Sequence, residues 1–213
     1  MFDAKSLLDQ LVGSGVAGGF AGGLAGGALA NALSGKKASK VAGSALQLGG
    51  MALVGGLAYK AWQNHQQGSG AAADPGFTTP PEGSAFLPAS NDTAGVSALS
   101  LLLARAMIAA AKADGQIDGQ ETQTILNQIN SLGIPAEDKA FLFEEYSRPL
   151  DMPGLVAAVD SQEHAAEVYA ASVMMVDPPS PPEQIYLDTL ARELGMDAGL
   201  AGEIHATLHA NRA

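Results

Sequence analysis

Residues 121–134, ETQTILNQINSLGI, superpose without a gap on residues 183–196, EQIYLDTLARELGM. Glu121 meets Glu183, Ile125 meets Leu187, Ile129 meets Ala191, and Leu132-Gly133 meets Leu194-Gly195. With one residue deleted upstream, Asp114 of AAKADG falls on Asp177 of MMVDPP, each closing a long apolar run. Both halves therefore read as helix, Asp, short loop, capped helix, Leu-Gly. A duplication of this kind predicts two helix-turn-helix units packed about a pseudo-twofold axis, with both loops at one end of a bundle.

Outward from this repeat the spacing stays helical. Val96, Leu99, Leu103, Met107 and Ala110 share a stripe over 94–113, and Leu101, Leu102 and Ile108 make that helix apolar on nearly every side, as suits the centre of a bundle. Shorter helices are expected over 119–132, 136–146, 152–159, 161–176, 181–194 and 197–211, separated by Gly133 to Pro135, Pro149 to Pro153, Pro178 to Pro182 and Gly195. No stretch alternates apolar and polar residues with β-branched enrichment, so no sheet is expected. The predicted fold class is all-α: a bundle of about seven helices with an internal pseudo-repeat, occupying 93–213 and preceded by a glycine-zipper segment.

The N-terminal part differs in chemistry. Residues 1–66 hold five lysines against Asp3 and Asp9, a net of +3, which leaves −14 for the rest of a chain whose total is −11. From Asp9 to Lys36 no residue is charged, and Gly15, Gly19, Gly23 and Gly27 recur every fourth position. Such glycine content costs a helix ~1 kcal/mol per residue in water and makes sense where close backbone contact returns that cost, as between helices in lipid. A second uncharged run, Val41 to Tyr59, is bracketed by Lys40 and Lys60, with Trp62 beyond. Its length approaches a span, and Tyr59 and Trp62 stand where interfacial aromatics belong. The segment 1–66 is thus expected to be membrane-associated, with orientation open. Packing of the first run on the second and a cleavable leader ending near Ala30-Asn31-Ala32 are rival readings, the latter opposed by Asp3 and Asp9. Residues 67–92, rich in Gly, Ala, Pro and Ser, read as a disordered tether.

The acids of the repeat carry two readings. Asp118-Gly-Gln-Glu121 and Ser180-Pro-Pro-Glu183 both match the capping box, with Pro181 at the first helical position. Asp114 and Asp177 are not needed by such a cap and sit at helix C-termini, where a negative charge opposes the helix dipole. The second reading offsets that cost with a hard cation, Ca²⁺ or Mg²⁺, held by Asp114, Asp118, Glu121, Asp177 and Glu183 together. An EF-hand is excluded: Gln116 stands at the third loop position and Ile125 at the twelfth, where a bidentate Glu is required.

The segment Lys112-Ala-Asp-Gly-Gln-Ile-Asp-Gly-Gln-Glu121, followed by an apolar helix ending in Leu-Gly and a degenerate second copy, resembles the tellurite-resistance B (TerB-like) domain. With its glycine run and Pro/Ala-rich linker the whole chain looks like the YebE-type inner-membrane family. That resemblance implies a bacterial inner-membrane protein with an all-α, acidic, divalent-cation-binding surface and a role in envelope or stress responses rather than catalysis. In the second copy Ser180 replaces Asp118 and prolines fill the loop.

Other chemistry is sparse. The net charge of −11 argues against nucleic-acid binding. With no cysteine, thiol nucleophiles and thiolate metal sites are excluded. His205 and His209 lie four apart near Glu203 without an HExxH pattern, and His164 stands between Glu163 and Glu167 as an expected exposed ion pair. The expected function is a membrane-associated, non-enzymatic scaffold or sensor whose acidic domain binds a cation or a protein partner. A metal-dependent hydrolase built on the same acids and a homo-oligomer assembled through the glycine zipper are the alternatives.

Overall fold

In the computed structural model the described residues are 3–13, 50–68, 78–113, 135–176 and 178–210. They form α1 (Ala4–Gly13), α2 (Gly50–Gln66), α3 (Thr93–Ala111), α4 (Ala136–Ser147), α5 (Met152–Ala157), α6 (Gln162–Val176), α7 (Pro181–Glu193) and α8 (Ala198–Ala210). No strand occurs among the described residues; Ser84 and Leu87 make one isolated antiparallel bridge. The chain is all-α, and six of the helices expected beyond residue 92 are found within two residues of their expected ends. The first copy of the repeat, 114–134, and Asp177 lie outside the described residues, as does the glycine run 14–49. The pseudo-twofold axis and the zipper therefore also lie outside them.

The core is built around α3 and α6, whose mutual packing is the most extensive among the described helices. From α3, Leu99, Leu103, Met107 and Ala110 are buried as their stripe predicts. Every residue of α6 from Ala165 to Val176 is buried. Small residues allow this: Ala166, Ala170, Ala171 and Ser172 let the backbones approach, and the Ser172 hydroxyl donates to the Val168 carbonyl at 2.9 Å, so that hydroxyl is not stranded.

The N-terminal helices complete this core. Leu7, Leu8 and Leu11 of α1 are fully buried against α3 and α2, and α2 packs on α8, α6 and α1. The early acids are structural. Asp3 caps α1 by accepting from the Ser6 N–H at 3.1 Å, and Asp9 accepts from the Gly50 N–H at 2.6 Å, capping α2 from another helix, with Lys5 paired to it at 2.8 Å.

The described parts of 1–66 and of 67–92 pack on the helices beyond residue 92. The described half of the run 41–59, from Gly50 to Ala58, is core, with glycines at contact points: a Cβ on Gly50 would lie 2.8 Å from the Leu8 carbonyl oxygen. Glycine serves close approach between helices in a protein interior as it does in lipid, so the pattern did not distinguish the two. Tyr59 and Trp62 meet the ring of Phe86, edge-on, with centroids at 5.3 and 5.8 Å. Phe86 itself, within the stretch expected to be a tether, is 4% exposed and anchors residues 78–92 as a strap leading into α3. Gly83, at φ +77°, turns the strap, and Glu82 accepts from the Ser90 N–H at 2.7 Å to close it.

Candidate functional site

Of the five acids expected to hold a cation, Asp114, Asp118, Glu121 and Asp177 lie outside the described residues. Glu183 is described, and its carboxylate accepts from the Ser180 N–H at 2.6 Å with Pro181 opening α7, so the capping reading holds for this residue. The Leu-Gly signature is the matching stop. Gly195 at φ +64° follows Leu194, with the Met196 N–H donating to Ala191 and the Gly195 N–H to Arg192, a Schellman closure. No group of three or more potential metal ligands is assembled among the described residues. His205 is half-buried and faces the Tyr169 hydroxyl, Nε2 to Oη 3.1 Å, and burial, with Asp188 adding to it, pushes that phenol up to about 12. His164 pairs at 2.5 Å with Asp160, which precedes α6, rather than with the glutamates beside it in sequence.

A groove of about 890 Å³ runs along α3. Its floor is aliphatic, from Leu101, Leu102 and Ile108; Leu150 and Leu155 face them from the α4–α5 turn and α5, and Gly83 to Ala89 of the strap form the opposite wall. Leu101 is half-buried and Leu150 is 40% exposed, so apolar surface remains in contact with water.

Charges gather at the far end. Arg105 and Arg148 both reach Glu145, each at 3.2 Å, and their side chains stay 43% and 56% exposed. Lys112 donates to the carbonyls of Glu145 and Arg148, stabilising the C-terminus of α4, and its ammonium also lies over the Tyr146 ring. Its pKa is lowered by burial, partly countered by Glu145. The groove is thus bordered by two guanidinium groups, Arg105 held by Glu145 and Arg148 by both Glu144 and Glu145, and each stays partly open to solvent. Sequence reading missed this site because its parts come from α3, α4 and the strap, far apart in the chain.

The second group that sequence reading missed is Glu167 of α6. It is 0% exposed, and neither carboxyl oxygen has a hydrogen-bond partner. Burial first, and then the charge of Glu163, drives its pKa well above the ordinary carboxylate range.

One curated relative, "Uncharacterized protein in ampR 5'region" from Yersinia enterocolitica, is 28% identical over 92 residues, which is 43% of this chain and 66% of that protein. The match covers just under two thirds of that relative's length. No solved structure matches the chain. The family described as "Protein of unknown function (DUF533)" matches over residues 18–208, and that span, which takes in α2, the strap, the groove and all of the C-terminal helices, places the chain in the DUF533 family.

Proposed function

We propose that this DUF533 protein is a membrane-associated, non-enzymatic scaffold that takes an aliphatic segment of a protein partner, flanked by acidic residues, into the groove along α3. The observation that carries this reading is the combination of an open aliphatic floor with Arg105 and Arg148 at its end, in a chain whose net charge is −11. Leu101 and Leu150 supply the apolar area, and the exposed sides of the two guanidinium groups supply donors for a carboxylate. The uncharged, glycine-repeating run between Asp9 and Lys36 supports membrane association through the N-terminal segment, in keeping with the resemblance to YebE-type proteins. Under the TerB-like reading, Asp114, Asp118, Glu121, Asp177 and Glu183 are the proposed ligands of Ca²⁺ or Mg²⁺.

A photo-crosslinking amino acid introduced at position 101, with position 184 on exposed α7 as control, tests the groove in cells. A discrete adduct from 101, absent from 184 and lost when Arg105 and Arg148 are both changed to Glu, is the expected result. Equal or no labelling from the two positions removes the groove from the proposal. Titration of the full chain with millimolar Ca²⁺ or Mg²⁺ tests the cation: a rise in Tm is expected, and no rise discards the ligand set.

A further inference from the structure

Glu167 occupies a place where an ionised carboxylate has nothing to meet it. A Cβ added at Gly55 of α2 would lie 2.9 Å from its Oε1 and 2.9 Å from the carbonyl oxygen of Phe86, so the acid and the strap carbonyl flank the same glycine. Both are acceptors facing one point of a dry interior, where like partial charges repel; a neutral acid has one O–H to donate, and the Phe86 carbonyl is an acceptor on the other side of that glycine.

We propose that Glu167 is a proton-dependent latch, which in its neutral form holds the strap 78–88 and α2 against α6 and on ionisation releases the strap. Among the described residues no charge of opposite sign acts on it. Glu163, one turn earlier on α6, acts on it with the same sign. On α2, Tyr59 packs on Phe86. On α3, Arg105 and Lys112 are engaged with α4. The Tyr186 phenol of α7 lies beside Ser172, and His205 of α8 faces Tyr169. Because the strap also walls the groove, its release alters that surface, yet the latch stands whatever the groove takes.

The sign follows from the direction of the shift. The folded state holds this proton over a pH range in which the unfolded chain has lost it, so Glu167 lowers stability progressively as pH rises above the ordinary carboxylate value, until the folded pKa is passed. Glu167→Gln keeps the shape and an N–H donor but cannot ionise. The variant should therefore melt higher than the parent, by about 5 °C at about pH 8, with the difference shrinking toward about pH 5.

Trp62 is the sole tryptophan and touches Phe86, so its emission reports the strap. In the full-length parent a red shift is expected as pH is raised, and in Glu167→Gln none. An infrared C=O band of a neutral carboxylic acid at neutral pH, present in the parent and assigned by isotope labelling of glutamate, reads the proton without any substitution. A parent lacking that band, or an emission that stays put or shifts equally in both proteins, overturns the latch.

Discussion

The helices α2 and α3 are both apolar, yet their sequences pointed to opposite environments. The glycine-rich α2 read as a lipid contact and the leucine-rich α3 as a bundle core. Among the described residues α3 is the helix long and apolar enough to cross a membrane, with a mean hydropathy of 1.8, while 56% of that window is buried inside the fold. In the structure α2 is enclosed from Gly50 to Ala58, and it is α3 that keeps an open side, along the groove. Hydropathy measures the cost of contact with water; it does not specify what replaces the water. Glycine spacing measures how closely another backbone can come, and a neighbouring helix in a folded core satisfies it as well as one in a bilayer.

The comparison can be broken at its buried stripe first. Leu103→Ala removes a fully enclosed side chain between α3 and α6 and is expected to cost about 3 kcal/mol in urea denaturation, whereas Leu101→Ala, on the groove side of the same helix, should cost about 1 kcal/mol. Equal losses would mean that α3 is covered on both sides.

A smaller effect sharpens the reading of α2. The Cβ of Gly50→Ala would sit 2.8 Å from the Leu8 carbonyl oxygen and 3.0 Å from the Val12 Cβ, so a loss of about 2 kcal/mol is expected from the forced separation of α1 and α2. If alanine were tolerated there, the glycine would not be serving close approach within this core.

The smallest change has the opposite sign. Gly202 lies on an exposed part of α8, where an added Cβ would meet nothing within 4 Å, so Gly202→Ala should raise stability by about 1 kcal/mol through helix propensity alone. Thermal melts of the two glycine variants side by side separate packing from propensity.

Most of the C-terminal fold was legible in advance, and particular residues say why. Pro149, Pro153, Pro181 and Gly195 end or begin helices through their own backbone chemistry, and Asp92, Asp151 and Glu183 satisfy N–H groups within three residues of themselves. The strap was misread because one aromatic, Phe86, orders it by meeting Tyr59 and Trp62, more than twenty residues upstream. The groove was not legible because Arg105 and Glu145, forty residues apart, become neighbours only when α3 and α4 pack.

Sequence by itself determined the helical class, the bounds of the described helices after residue 92 and the Glu183 cap, because each depends on contacts a few residues long. Only the tertiary structure decided that α1 and α2 share one core with α3 and α6, that Glu167 is enclosed, and which side of α3 stays open. Those outcomes depend on which apolar surface meets which, and burial is a property of the assembled chain: an uncharged run or a lone glutamate carries no local mark of what will surround it.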